Sequence, residues 1–490
     1  MRAELQSAGQ KDGLAFLRTA AEIGGRCTVA YGTRTGALLR VNGVAAGAFD
    51  REHATMICDL PANADMTLEV ELRALPTNGL PSGPGLRWWL MNLLATQRPA
   101  QTLTMIPADA AAEASGERAT LPLIGHSHLD VGWLWTYAQT RRKAMRTFAI
   151  AVNLLEQYPQ FQFSQSQAQL YDFVRDDDSE LFERVRALAA QDRFDVSVAA
   201  LWVESDCNLP SGESLLRQML SAHRFCREHF NRTPEVAWLP DSFGFANTLP
   251  TLLAHAEIRY FVTTKLQWND TTLFPHPQFR WHGPDGSEVV AALIDSYDGG
   301  LNPWRVARAR SRGEPLVAGY GDGGGGVTDE MIRQATHVGR WIRPIDWLRT
   351  LDANSLPQHQ DELYLEYHRG VYTTHHNIKQ RNAQLERKLG EAEYAVARCI
   401  ANRSVSSDIR EWCREIDEAW LLVLRNQFHD VLPGTSIAEV YGDVHQEYDR
   451  AERLIERVMQ RAYDVIPPRG VAESRCVVTE SVAGGAYVFH

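Results

Sequence analysis

The spacing of apolar positions changes three times along the 490-residue chain, and each change suggests a boundary. Up to about residue 115, short alternating runs such as TLEVELRAL stand between turn signals such as PTNGLPSGPG, which predicts a small β-rich unit over 1–115. Residues 104–117, rich in Ala and small polar side chains, read as a linker. Over 119–360, the strand candidates are LPLIGHSH, PQFQFSQSQ, FDVSVAALWVE, PEVAWLPDS, RYFVTTK and SEVVAALID. The amphipathic segments SELFERVRALAAQ and SLLRQMLSAHRFCREHF lie among them, so an α/β unit with a mainly parallel, barrel-like sheet is expected. From about Thr374 the period becomes helical. One stripe holds Leu385, Leu389, Ala392, Val396 and Cys399, and a second holds Ile409, Cys413, Ile416, Trp420 and Val423. A third runs from Ile437 through Val444, Tyr448 and Ala451 to Val458, which predicts a three-helix bundle over 361–466. After Pro467 and Pro468, CVVTE and GGAYVF read as strands, so residues 467–490 look like the start of a truncated β-domain.

Composition narrows the partners. A formal charge of -11 argues against nucleic acid or anionic lipid as the main ligand, and a neutral small molecule fits better. Seven scattered cysteines with no C-x-x-C spacing suggest neither a disulfide framework nor a zinc ribbon. The amino terminus has no apolar run of signal-peptide length, and no stretch is apolar enough to span a bilayer, so a cytoplasmic location without membrane attachment is expected. Self-association is left open.

Five motifs carry candidate chemistry. In L-P-L-I-G-H-S-H-L-D an apolar strand ends at Gly125 and presents His126, His128 and Asp130 at alternate positions, which share one side of an extended backbone. Imidazole and carboxylate suit zinc. Chance alone supplies roughly half an H-x-H in a chain with this many histidines, so the weight comes from the strand before it and the acid after it. Trp133 and Trp135 follow, one suited to a sugar face and one to the core. W-V-E-S-D-C-N-L-P-S-G-E-S places Glu204, Asp206 and Asn208 after an apolar run, where they could bind sugar hydroxyls or cap a helix. In W-L-P-D-S-F-G, Asp241 follows a strand and Pro240, as a catalytic acid or a turn residue. G-Y-G-D-G-G-G-G carries Asp322 in a loop too flexible for a helix or strand interior, and it lacks the G-K-[ST] of a phosphate loop. It reads as a mobile loop over a pocket or a plain connector. E-Y-H-R-G-V-Y-T-T-H-H offers His368, His375 and His376, among which the residues alone do not choose.

Taken together and in order, these segments, with N-Q-F-H-D-V-L-P-G-T-S-I further on, resemble the family 38 glycoside hydrolases, the retaining α-mannosidases. The matches extend from about residue 125 to 437, and F-D-R-E-H at 49–53 adds weaker similarity. The resemblance implies one Zn²⁺ held by His128, Asp130, Asp241 and His368, a site whose N/O donors also accept Co²⁺ or Mn²⁺. It implies Asp241 as nucleophile, Asp322 as general acid/base, and His126 as a supporting group. Trp133, Glu204 and Asp206 are expected at the sugar, and a mannose-containing oligosaccharide or glycan is the implied substrate. Two rivals stand beside this reading. One is another metal-dependent hydrolase, which calls for further histidines at later strand ends. The other is a degenerate relative that binds zinc and sugar without turnover.

Overall fold

The computed structural model describes residues 121–401 and 409–465 continuously. Of residues 1–120 it describes 2–4, 6–11, 14–21, 25–30, 37–49, 53, 55–60, 66–73 and 102–107, and after 465 it describes 477–480 and 486–489.

The central strand of the α/β unit, Leu121–His126, is parallel to all three of its neighbours. Leu316–Ala318 pairs along one edge, while on the opposite edge Gly339–Trp341 pairs with residues 121–123 and Phe163–Ser164, followed by Phe194–Asp195, pairs at the carboxyl end. Its residues Leu123 and Ile124 are wholly buried, as a strand covered on both faces requires. A second sheet runs Val236–Trp238, Tyr260–Thr263, Glu288–Leu293, Gln278–His282, Gln358–His359, parallel except for one hairpin. An isolated bridge between Ala199 and Ala237 lies between the two sheets, so the expected barrel-like wall is built as two five-stranded sheets.

Several strand expectations shorten. F-D-V-S-V-A-A-L-W-V-E is a strand only at Phe194–Asp195, and P-Q-F-Q-F-S-Q-S-Q only at Phe163–Ser164. Beyond those points the backbone turns inward and is held by side chains. Gln167 receives the N–H of Glu204 at 3.0 Å, and Gln165 and Gln167 bond the carbonyls of Ser127 and Leu129. The apolar run before His368 forms only a bridge at Leu363, followed by a short 3-10 turn at Arg369–Tyr372.

The three long helices are His376–Ala401, Ile409–Arg425 and Ala438–Val465. The middle one keeps Ile416, Trp420 and Val423 of the expected stripe buried and departs from it near its start. Trp412 is buried and Cys413 is exposed, because the wider indole covers more of the seam between the flanking helices. None of the described helices is long and apolar enough to cross a membrane.

Antiparallel strands make up the described part of the amino-terminal unit. Its buried Leu38, Ala45 and Ala48 belong to the same apolar core as the helix Tyr137–Gln157. Asn153 donates to the carbonyl of Ala46 and Arg184 to that of Ala45. The expected linker begins inside a strand, Thr102–Pro107, and its remainder lies outside the described residues. The final strands Val477–Glu480 and Ala486–Phe489 pair with each other.

The Gly319 backbone, at φ +138°, passes so close to the central strand that a Cβ there would stand 1.9 Å from the carbonyl oxygen of His126. Gly319→Ala is therefore expected to destabilise the fold by about 2–4 kcal/mol. Gly390 lies inside a helix with nothing within 4 Å of a Cβ, and Gly390→Ala should stabilise by about 0.5–1 kcal/mol. Equilibrium denaturation of the two variants measures both signs.

Candidate metal centre and active site

The site lies at the carboxyl ends of the strands, where open α/β sheets bind ligands. The chain leaves the central strand extended, so His126 and His128 follow the pleat but meet different surroundings. His126 is fully buried, with Nδ1 2.9 Å from the carbonyl of Ser164 and Nε2 accepting from the Trp238 indole at 3.2 Å. Those two partners define one neutral tautomer, and burial pushes its pKa down to about 3. His126 is thus a structural pillar with no free lone pair.

Two residues on, Nε2 of His128 stands 3.0 Å from Oδ1 of Asp130, and that same oxygen lies 3.5 Å from Nε2 of His429. Nε2 of His429 is also 3.3 Å from Oδ2 of Asp241. One donor atom from each of His128, Asp130, Asp241 and His429 therefore falls within 4.8 Å of all the others, and all four residues are buried.

The fourth member of this group is His429, not His368. His429 arrives from the turn after Ile409–Arg425, which is pinned into the cleft by Asp206 N–H on the Gln427 carbonyl and by an antiparallel bridge between Ser205 and Phe428. His368 is held away by the Phe243 ring, on which it stacks at 4.2 Å while His429 meets that ring edge-on at 5.5 Å. His375 stacks on Tyr441 at 4.1 Å, and His376 opens the first bundle helix.

A divalent cation fits this donor set. Nδ1 of His429 lies 3.0 Å from the carbonyl oxygen of Glu204, so its proton belongs there and the Nε2 lone pair is left to point at Asp130 and Asp241. That Nε2 is buried and has no hydrogen-bond partner. The electrostatics demand positive charge at the same point. Burial alone would lower the pKa values of His128 and His429, yet the surrounding carboxylates raise both well above the ordinary value. The carboxylates thus favour positive charge at the point where a divalent ion would sit.

Asp241 has a second partner. Its Oδ1 pairs with the ammonium of Lys265, a buried residue just past the Tyr260–Thr263 strand. Burial would raise this carboxyl, but the neighbouring His429 imidazole and the Lys265 charge outweigh it and hold it far below the usual carboxylate range. Lys265 lies 3.5 Å over the Trp268 ring. Tyr297, past the Glu288–Leu293 strand, packs on the His128 ring at 4.6 Å, and burial followed by the charges of Asp241 and Asp322 pushes its hydroxyl well above the usual phenol range.

Asp322 adopts a left-handed backbone at φ 50°, inside a loop that is anchored rather than mobile. Its carbonyl accepts from the Asp130 N–H at 2.9 Å, Gly323 bridges to Leu129, and the Gly325 N–H bonds Thr147. Burial, then the charge of Asp130 and next that of Asp241, push its carboxyl up to about 6 against the opposing pull of His128. Asp329, another acid of this region, opens a helix and is engaged by Tyr158 and Arg333.

The expected sugar-binding acids lie elsewhere. Glu204 is completely buried beneath the donor set, and Asp206 is buried too, its Oδ1 accepting the N–H groups of Asn208 and Leu209 at 2.8 and 2.7 Å. Neither is open to the cleft. Trp135 is buried and donates to the Asp130 carbonyl, whereas Trp133, half-buried and edge-on to it at 5.8 Å, keeps open surface.

Comparison with known proteins agrees with this architecture. Residues 118–345 match the glycosyl hydrolases family 38 N-terminal domain, and residues 366–466 match the alpha mannosidase middle domain. The chain is 35% identical over 373 residues to an alpha-mannosidase of Saccharomyces cerevisiae, covering 69% of this chain and 34% of that one. It is 35% identical over 350 residues to human alpha-mannosidase 2C1, covering 67% and 33%. The chain thus spans about a third of the length of these curated relatives. An alpha-mannosidase structure from Enterococcus faecalis V583 superposes with a TM-score of 0.60 at 18% identity, covering 71% of this chain and 42% of that one, and shares the fold. The chain belongs to glycosyl hydrolase family 38.

Proposed function

We propose that this chain is a retaining α-mannosidase acting on terminal α-mannosyl residues of oligosaccharides or glycans, with a zinc ion held by His128, Asp130, Asp241 and His429. The observation that carries the reading is the double engagement of Asp241. One oxygen faces the donor set at His429, and the other is held by Lys265. A carboxylate placed in this way can serve as a ligand through Oδ2 and as a nucleophile through Oδ1.

When bound, the ion would act as a Lewis acid and grip the cis 2- and 3-hydroxyls of mannose. The chain's own residues then account for the rest. Oδ1 of Asp241 attacks the anomeric carbon as the bond to the leaving oxygen breaks, and Asp322 delivers its proton to that oxygen. Asp322 next takes a proton from water, which attacks the same carbon and frees Asp241. Two inversions retain the configuration. Lys265 keeps Asp241 ionised for the first step and stabilises it as the leaving group of the second. Tyr297, close enough to feel the charge of both acids, lines the space beside them, and Trp133 supplies an apolar face for the ring.

Three outcomes are expected. The purified chain should bind about one zinc, and a strong chelator should abolish release of α-mannose from an aryl α-mannoside, with zinc restoring it. A fluorinated mannosyl fluoride should label Asp241. Label on another residue, or no label on a chain that binds zinc, would refute the assignment, the latter pointing to binding without turnover. Asp322→Asn should lower kcat/KM by about 10²–10⁴ on substrates with a sugar leaving group, and much less on a dinitrophenyl mannoside, whose leaving group needs no proton. Equal losses of kcat/KM on both substrates would remove Asp322 as the acid.

A further inference from the structure

Glu204 is a wholly buried carboxylate that the steps above leave unused, and it touches three of the four donor residues. Its Oε1 accepts the backbone N–H of Asp241 at 2.5 Å. Its Oε2 stands 3.2 Å from Nδ1 of His128 at ion-pair distance, and both atoms are buried without a hydrogen-bond partner, so each is the nearest group the other has to answer it. Its carbonyl oxygen receives both the N–H and the Nδ1 of His429, at 3.1 and 3.0 Å. We propose that Glu204 is a positioning residue that sets the tautomer of His128 and ties that ring to the backbone of Asp241, so that the two strand ends present their donors as one rigid set.

The chemistry follows from hydrogen-bond accounting. A carboxylate accepts at both oxygens, so it can take the Asp241 N–H and the His128 Nδ1 proton at once. With Nδ1 protonated, the Nε2 lone pair of His128 is free for a cation. An amide of the same shape accepts at one end only. If the NH₂ of a glutamine faces Nδ1, the imidazole must accept there and carry its proton on Nε2, which blocks the donor. If the NH₂ faces the Asp241 N–H instead, two donors meet at hydrogen-bond distance and the turn carrying Asp241 must shift. Either arrangement weakens the site while leaving the backbone contact to His429 in place. Asp206, buried two residues away, bonds only backbone N–H groups of its own turn through Oδ1 and serves as the matched control.

This inference rests on the metal reading above, and it is tested by zinc affinity measured by competition with a chromophoric chelator, without any mannoside. Glu204→Gln should weaken zinc binding about 10- to 100-fold, and its cobalt-substituted form should show an altered visible spectrum. Asp206→Asn should keep wild-type zinc affinity. Glu204→Asp, which retains two acceptors on a shorter stem, should recover part of the loss, and it carries the test if the glutamine variant does not fold. Wild-type affinity in Glu204→Gln, or an equal loss in Asp206→Asn, overturns the assignment and leaves the proposed function standing. A wild-type chain that binds no zinc overturns both.

Discussion

Asp130, Asp241 and Glu204 are buried around a single point, and the rest of the site can be understood as the means of keeping them there. Isolated from water, each carboxylate would cost several kcal/mol, so each must face a cation or a donor. Lys265 answers Asp241 on one side, and the two imidazoles answer all three acids from the other. The arrangement is stable only if every partner is present. Removing one member of a buried pair typically costs about 3–5 kcal/mol, because the remaining charge is stranded. The same requirement makes the point between the rings attractive to a divalent ion.

That requirement also explains the backbone around the site. Asp130 is positioned by the Asp322 carbonyl, so a member of the candidate donor set and the proposed acid sit on mutually bonded backbones. The glycines around Asp322 let this loop pack directly on the chain after the central strand. At Gly319 and Gly324 a side chain would run into the His126 carbonyl and the Thr147 hydroxyl. The amino-terminal unit reaches the same loop, since His53 lies 3.1 Å from the Val327 carbonyl. The loop is thus held from three sides, and the acid it carries can keep a fixed distance from Asp241.

How far the sequence reveals this depends on what kind of signal each residue leaves. His128, Asp130 and Asp241 follow apolar strands, and the rule that ligands gather at strand carboxyl ends marks them as candidates beside His126, while the choice among them came with the family resemblance. Lys265 and Tyr297 stand at equivalent places after Tyr260–Thr263 and Glu288–Leu293, so the same rule, applied to a lysine and a tyrosine as readily as to acids, could have found them. His429 leaves no such mark. It follows a helix, and only the pairing of its turn with residues 204–206 carries it into the cleft. His368 lies in a stretch that reads as a strand by its alternation but forms none beyond a bridge, since its neighbours pair with the 269–272 turn through Glu366 and Asn269. Glu204 and Asp206 look like sugar ligands because they are polar after an apolar run. Burial reverses that meaning, and burial of a polar side chain is what periodicity conveys least.

The origin of His429 also changes what counts as a functional unit. Alternating strands and helices end near residue 360, and a boundary there matches the change of periodicity. The chemistry does not respect it. Gln218 on a helix of the α/β unit bonds the Leu424 carbonyl and the Gln427 side chain, and Gln427 in turn reaches Asn382 and Glu386 on the first bundle helix. These buried amides fix the turn whose next residues are Phe428 and His429, both fully buried. An α/β unit without the bundle would keep three donors and lose the one that faces both Asp130 and Asp241. The bundle is therefore the fourth side of the candidate site, tied to the α/β unit by the buried amides and bringing to it the imidazole that the strand ends do not supply.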